Sequence, residues 1–174
     1  MKKKVFIACD TTNLTKIRKI IAQSQTNKIK IGYKFGLEFM NSKNGRRFIS
    51  KLKNKIVFID LKLNDTVHTM LSAVKALKDL RINYLTVHIS SGLTALKAVK
   101  KVSKSIKIVG VTTLTSLNDK DLKLIGYNRS IKNLVAHQAK LAKRAALDAL
   151  VCSPFEVSIV RKIFKKEIIT PGVQ

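Results

Sequence analysis

The chain has 174 residues, of which 45% are hydrophobic and 26% are charged, as is typical of a folded globular protein. Its 35 Lys and Arg residues against 10 Asp and Glu residues give a formal net charge of +25. No apolar run approaches the roughly 18 to 20 residues that a membrane helix needs, and the amino terminus lacks a signal-peptide pattern. We therefore expect a single soluble domain over residues 1–174 in the cytoplasm, without a membrane partner.

The positive charge admits two interpretations. A nucleic-acid-binding protein would use lysines to release counterions from a phosphate backbone. Here the lysines are scattered along the chain, and aromatic residues do not interleave with them as a base-stacking surface requires. We interpret the charge mainly as a compositional bias that also attracts anionic small molecules, and we keep nucleic-acid binding as the less favoured alternative. Cys9 and Cys152 lack the spacing of a disulfide framework or a zinc site.

Short apolar segments alternate with amphipathic ones along the chain. The apolar segments predict seven β-strands, at 5–10, 28–34, 55–62, 84–90, 106–114, 149–154 and 167–172. Apolar residues spaced three and four apart predict helices at 12–23, 67–80, 93–102, 133–146 and 156–164. Strands that are mostly apolar and separated by helices indicate a parallel sheet built from βα units.

Two architectures fit this alternation, an open doubly wound sheet and a closed (β/α)8 barrel. Polar residues follow nearly every predicted strand, among them Asp10, Asp60, His88, Ser153 and Thr170. A barrel gathers all the carboxyl ends of its strands around one mouth, so this distribution favours the barrel. No GxGxxG or P-loop motif follows a strand, which argues against dinucleotide and P-loop NTPase folds.

The densest group of chemically useful residues is Asp60-Leu61-Lys62-Leu63-Asn64-Asp65, at the end of the third predicted strand. Asp60 and Lys62 are two residues apart and would share one face of a strand, and Asp65 follows just beyond. Carboxylates on both sides of a lysine keep its ammonium group protonated, which suits a proton donor to a carbanion. The spacing alone is equally typical of a strand-end ion pair.

This segment resembles the DxKxxD signature of the orotidine 5'-phosphate decarboxylase family. Flanking segments resemble the other strands of that family in order: Phe6 to Asp10, Lys30-Ile31-Gly32, Thr86-Val87-His88, Val111 to Ser116, Val151 to Pro154 and Thr170 to Val173. The resemblance implies a (β/α)8 TIM-barrel fold and a carboxy-lyase that converts orotidine 5'-monophosphate to UMP in pyrimidine biosynthesis. It implies neither a metal nor an organic cofactor.

The resemblance also implies roles for individual residues. Asp60 would destabilise the substrate carboxylate, Lys62 would donate a proton to C6, and Lys30 would orient Asp60. Asp65 would brace Lys62 from the second subunit of a homodimer, and Thr69 would cross with it. The expected substrate contacts are Asp10, Lys30, Asp60, Thr69, Thr115, Pro171 and Gly172.

Two departures from the family shape these expectations. Family members continue past the TPG segment to an eighth strand that grips the phosphate, whereas this chain ends at Gln174. We therefore expect about seven strands without the last βα module, and impaired activity. Magnesium-dependent sugar-phosphate decarboxylases and aldolases of the same superfamily carry an acid near the position of Lys30. A cation there favours the metal-free branch, and the magnesium-dependent enzymes remain an alternative.

Overall fold

The computed structural model of the chain describes residues 3–172. Strands and helices alternate through most of its length. The strands are β1 (Lys4–Ala8), β2 (Lys30–Gly36), β3 (Ile56–Leu63), β4 (Tyr84–His88), β5 (Lys107–Val111), β6 (Ala149–Val151) and β7 (Glu167–Ile169). The helices are α1 (Leu14–Gln23), α2 (Leu37–Asn41), α3 (Gly45–Lys51), α4 (Val67–Ala76), α5 (Leu93–Val102), α6 (Asp119–Leu124), α7 (Ile131–Arg144) and α8 (Val157–Ile163).

The strands form one sheet in sequential order, β1-β2-β3-β4-β5-β6-β7. The pairs β1–β2, β2–β3, β5–β6 and β6–β7 are parallel, as the alternation of strands and helices predicts. All seven predicted strands are present. The second begins and ends two residues later than its predicted range of 28–34. Helices α2, α3 and α6, of five to seven residues, were not predicted. The equally short α8 was predicted because its apolar pattern extends over 156–164.

The chain divides into two compact units. Unit 1 comprises Met1–Leu61 and Lys75–Leu85, and unit 2 comprises Lys62–Val74 and Thr86–Gln174. The expectation of a single domain over residues 1–174 stays a prediction. Within residues 3–172, no helix is both long and apolar enough to cross a membrane.

Aromatic side chains build the core of unit 1 in two groups. Phe6 of β1 contacts Phe58 and Tyr84 edge-on, with ring centroids 4.9 and 5.1 Å apart. Phe35 at the end of β2 packs on Phe39 of α2, with centroids 4.9 Å apart, and both contact Phe48 of α3. Such pairs add stability beyond the area they bury. The first group packs β1 against β3 and β4, and the second packs the end of β2 against α2 and α3.

Helix α7 supplies much of the core of unit 2. Its Leu134, Val135, Ala139 and Ala142 are buried at its apolar positions. Before β6, the Asp148 carboxylate accepts hydrogen bonds from the Lys100 ammonium and from the Ile108 backbone N–H, at 2.6 and 2.8 Å. This half-buried ion pair ties the amino ends of β5 and β6 to helix α5.

Candidate active site

Three charged side chains meet at the carboxyl ends of β1, β2 and β3. The Lys34 Nζ lies 3.4 Å from Asp10 Oδ1 and 3.5 Å from Asp60 Oδ2. Both carboxylates are therefore attracted by the same cation. The contacts are long for hydrogen bonds, so the cluster retains freedom to tighten around a ligand.

The register of the parallel strands produces this cluster. Ala8 is paired with Lys34, and Gly36 is paired with Asp60. The Cys9 N–H donates to the Lys34 carbonyl at 2.8 Å, which continues the pairing past the end of β1 and carries Asp10 to the same edge. The carboxyl ends of neighbouring parallel strands therefore supply all three charges, as the barrel hypothesis requires.

The three side chains differ in exposure. The Asp60 side chain is 13% exposed, that of Lys34 is 26% exposed and that of Asp10 is 60% exposed. Solvent screens the Lys34–Asp10 attraction more than the Lys34–Asp60 attraction. Asp60 is therefore the better-sheltered partner of the lysine, and Asp10 is the partner most available to a ligand.

The expectation that Lys30 orients Asp60 is wrong. Asp60 is level with Gly36 in the sheet, whereas Lys30 is paired with Lys4 at the opposite end of β2. Six residues of strand separate the two levels, or roughly 20 Å at about 3.3 Å per residue, which no lysine side chain can span. Lys34 occupies the place assigned to Lys30. The charge at the strand end could have been noticed in the sequence, because Lys34 closes the predicted strand 28–34.

Lys62 has an unusual backbone conformation. Its φ of 49° lies in the left-handed region, although it is part of β3. Its backbone N–H donates to Thr86 Oγ1 at 2.8 Å, and Thr86 is buried in β4. Non-glycine residues pay about 1 to 3 kcal/mol for such a conformation, which clusters at functional sites. The hydrogen bond to Thr86 helps to hold the strained residue in place.

The segment after β3 is exposed and organised by its own polar side chains. Asp65 Oδ1 accepts from the Thr66 N–H at 2.6 Å, and the hydroxyls of Thr66 and Thr69 lie 3.1 Å apart. Thr69 sits in the first turn of α4. Both Asp65 and Thr69 are exposed, and so is Val67 between them, at 36%.

The threonines after β5 divide into structural and available ones. The Thr112 hydroxyl donates to the Val151 carbonyl at 2.9 Å. The Thr113 hydroxyl and backbone N–H both donate to Gln138 Oε1, at 3.1 and 2.8 Å. Thr115 is exposed in the following loop. Of the three, Thr115 alone is exposed, and its contact with a ligand stays a prediction.

Pro171 and Gly172 follow β7 and are both exposed. The φ of Gly172 is +90°, a conformation that favours glycine over other residues. Val173, the last residue of the resembling Thr170 to Val173 segment, lies outside the described residues.

Cys9 is adjacent to Asp10 but has the wrong chemistry for a nucleophile. Burial raises the pKa of its thiol to about 11, the nearby Asp10 carboxylate raises it further, and Lys34 opposes the shift. The thiol is fully buried and neutral near pH 7, and a neutral thiol reacts poorly. Among residues 3–172, no group of three or more His, Cys, Asp or Glu side chains is arranged to hold a metal ion.

Comparison with known proteins places this geometry in a family. The model of the orotidine 5'-phosphate decarboxylase / HUMPS family matches residues 3–174. The orotidine 5'-phosphate decarboxylase of Wolbachia pipientis subsp. Culex pipiens is 38% identical over 98% of this chain and 76% of the relative. That of Coxiella burnetii is 32% identical over 98% of this chain and 75% of the relative.

Solved structures agree. The crystal structure of orotidine 5'-phosphate decarboxylase from Lactobacillus acidophilus has a TM-score of 0.87 at 29% identity, over 99% of this chain and 82% of that one. The inhibitor complex of the Methanocaldococcus jannaschii enzyme has a TM-score of 0.82 at 24% identity, which supports the fold alone. The predicted (β/α)8 TIM-barrel type, with seven strands in residues 3–172, is confirmed. The chain belongs to the orotidine 5'-phosphate decarboxylase / HUMPS family.

Proposed function

We propose that this chain decarboxylates orotidine 5'-monophosphate to UMP, the reaction named for its relatives from Wolbachia and Coxiella. The observation that carries the proposal is the position of Lys34 between Asp10 and Asp60. Asp60 is the first residue of the DxKxxD segment. A lysine at the second strand disfavours a divalent cation there, whereas the magnesium-dependent relatives would use an acid at that position.

The chemistry is a replacement of carbon dioxide by a proton. The bond between C6 and the carboxylate breaks, its electron pair stays on C6, and carbon dioxide leaves. Lys62 then gives a proton from its ammonium group to C6. Asp60 would lie near the substrate carboxylate, so that their repulsion raises the energy of the ground state and vanishes as carbon dioxide departs. These roles for Asp60 and Lys62 follow the family resemblance.

Lys34 would take the role first assigned to Lys30. Its contact with Asp60 would balance part of the carboxylate charge while the substrate carboxylate is close. Its contact with Asp10 would hold that exposed carboxylate where it could bind the ribose hydroxyls. Lys34 would therefore position both carboxylates without reacting itself.

Asp65 and Thr69 would act in the partner's active site of a homodimer. Their exposure on the segment after β3 leaves them accessible to a second copy of the chain. Thr115 would contact the pyrimidine, and Pro171 and Gly172 would border the bound substrate. We place the reaction in the cytoplasm, whose reducing conditions suit the free thiols Cys9 and Cys152.

The test follows the loss of orotidine 5'-monophosphate absorbance and the appearance of UMP. Lys62→Ala should lower kcat by roughly 100-fold to 10,000-fold, the usual contribution of a positioned proton donor. Lys97→Ala is the matched control, because Lys97 is an exposed lysine on α5. Turnover by the natural chain that survives excess chelator and disappears in Lys62→Ala supports the proposal. Turnover that requires added magnesium, or that Lys62→Ala leaves intact, contradicts it.

A further inference from the structure

A second group of positive charges lies at the amino ends of β1 to β3 in unit 1. These three strands each start next to two lysines: Lys3 and Lys4 at β1, Lys28 and Lys30 at β2, and Lys53 and Lys55 at β3. The pairing of Lys4 with Lys30 brings neighbouring strand starts side by side, about 4.8 Å apart. Like charges gathered this closely repel one another unless an anion lies among them.

Among the described residues of unit 1, no carboxylate forms an ion pair with Lys28, Lys30 or Lys53. Its four acidic residues are Asp10, Glu38, Asp60 and Asp79. Asp10 and Asp60 hold Lys34 at the other end of the strands, and Asp79 is paired with Arg46 at 2.5 Å. Across residues 3–172, the ammonium groups of Lys28, Lys30 and Lys53 have no ion-pair partner. Lys55 donates only to the neutral Gln25 Oε1, at 2.6 Å.

The strand starts in unit 2 are different. There, Lys100 pairs with Asp148 at 2.6 Å, and Lys107 pairs with Glu167 at 3.7 Å. Both acids lie at the entrance of a strand, β6 and β7 respectively. The fold therefore accommodates carboxylates at strand entrances, and their absence from unit 1 is a local feature of that unit.

Two lysines of this group, Lys30 and Lys55, line a cavity of about 390 Å³. Its walls come from the loop between α1 and β2 and from the starts of β2 and β3, and include Gln25, Thr26, Asn27, Lys30, Asn54 and Lys55. This volume lies at the lower end of the range for small-molecule sites, roughly 300 to 1,000 Å³. Two ammonium groups and several neutral hydrogen-bonding side chains line it, and no acidic residue does.

One wall of the cavity is fixed by a buried hydroxyl. Tyr33 is 1% exposed, and its hydroxyl contacts Ser24 Oγ at 2.8 Å and Gln25 Nε2 at 3.2 Å. Gln25 in turn receives the hydrogen bond from Lys55. Asn54, with a left-handed φ of 58°, forms the turn that presents Lys53 and Lys55 on either side of it. The cavity walls are thus organised before any ligand arrives.

We propose that this cavity at the amino ends of β2 and β3 binds a small phosphate-bearing ligand, with Lys30 and Lys55 as its principal cationic contacts. A phosphate group carries up to two negative charges and accepts several charge-assisted hydrogen bonds, which suits ammonium groups flanked by amide side chains. The site is separate from the candidate active site, because β2 places Lys30 roughly 20 Å from the level of Asp60.

Calorimetric titration with pyrophosphate and with ADP tests the proposal. The cavity variant is Lys30→Gln/Lys55→Gln, and the charge-matched control is Lys97→Gln/Lys101→Gln, which removes two exposed lysines from α5. We expect the cavity variant to lose at least tenfold in affinity for both probes, and the control to change by less than twofold. Decarboxylation should be unaffected in both variants. Lys30→Gln alone should show part of the loss and should fold as the natural chain does, because the Lys30 side chain is exposed and does not belong to the core.

Three results would overturn the proposal. Equal losses in both double variants would show attraction by net charge alone. Unchanged affinity in the cavity variant would place the anion at another site, such as the active site. A loss seen only with a 20-nucleotide single-stranded RNA, and not with ADP or pyrophosphate, would identify a nucleic-acid surface in place of a small-ligand site.

Discussion

The two ends of strands β1 to β3 use lysine in opposite ways. At the carboxyl ends, one lysine, Lys34, lies between Asp10 and Asp60 and contacts both. At the amino ends, Lys28, Lys30 and Lys53 face no carboxylate among residues 3–172. The first arrangement fixes the positions of charges that a reaction can use. The second leaves positive charge that only an external anion or the solvent can balance.

This contrast shows how little net charge says about function. A charge of +25 is a property of the whole chain, whereas catalysis depends on where the few acids lie. Two of the four acids in unit 1 are gathered around a single lysine. Removing the same charge from one end and then from the other is therefore more informative than changing the total charge.

The largest expected effect is the difference in kcat/KM between Lys34→Ala and Lys30→Ala. Lys34→Ala should lower kcat/KM by roughly 100-fold to 1,000-fold, because Asp60 loses its cation and both carboxylates lose their fixed positions. Lys30→Ala removes the same charge from the other end of the same strand and should change kcat/KM by less than about twofold. Steady-state assays of the two variants decide the matter. A large loss in Lys30→Ala would restore the role that the sequence suggested for it.

The misassignment of that lysine has a physical cause. β2 contains the near-repeat Lys30-Ile31-Gly32 and Lys34-Phe35-Gly36, and both halves present a lysine followed by an apolar residue and a glycine. Periodicity identifies such a strand but cannot tell which repeat lies at its carboxyl end. Only the pairing of Gly36 with Asp60 decides this, and pairing is a contact between residues distant in the chain.

Other residues of the site were predictable because their strands contain no such repeat. Asp10, Asp60 and Lys62 each lie beside the end of an apolar strand that has no competing repeat, so their positions followed from the sequence. The left-handed backbone of Lys62 did not, because nothing in the segment Asp60 to Asp65 requires a positive φ. It depends on the hydrogen bond to Thr86, a residue of another strand. Helix α2 was missed because it has five residues and follows β2 without an intervening loop, and α3 because it is a short helix separated from α2 by three residues.

The two glycines of β2 offer a stability test of the same repeat. A Cβ added at Gly32 would lie 2.6 Å from Phe6 Cδ1 and 3.2 Å from Ile56 Cγ2. A Cβ at Gly36 would find its nearest neighbour, Asp10 Oδ1, at 3.7 Å. Gly32→Ala should therefore lower the free energy of unfolding by about 1 to 3 kcal/mol through overpacking, and Gly36→Ala by much less. Urea denaturation measures both, and equal losses would contradict the difference in packing.

A smaller effect is expected at Asp10. Asp10→Asn should raise KM for orotidine 5'-monophosphate by about tenfold, since one charge-assisted hydrogen bond to the ribose is worth about 1.5 kcal/mol. Asp79→Asn is a matched control, because the Asp79 side chain is 61% exposed and also pairs with a basic residue, Arg46. Its KM should be unchanged. A lower kcat at constant KM in Asp10→Asn would instead assign Asp10 to the chemical step.

The smallest expected effect is on the pH dependence of stability, through the pKa of Cys9 near the carboxyl ends of the strands. Its pKa is raised from 9.0 to about 11, first by burial, then by Asp10, with Lys34 opposing. The unfolded thiol ionises first as pH rises, so the stability that Cys9 contributes is complete below pH 9.0 and is lost as pH rises through about 11. The pH range between the unfolded and folded pKa values of Cys9 should narrow in Asp10→Asn and widen in Lys34→Met. It should be unchanged in Lys30→Met.

Denaturant unfolding from pH 8 to 11, with Cys9→Ala subtracted in each background, isolates this contribution from the titration of the lysines. If this pH range changed as much in Lys30→Met as in Lys34→Met, the pKa of Cys9 would depend on the total charge of the chain. The expected outcome, a shift with Lys34 and none with Lys30, would show that the two ends of β2 are electrostatically independent. That independence would follow from roughly 20 Å of strand between the levels of Lys30 and Asp60, about twice the distance over which salt near 0.1 M screens exposed charges.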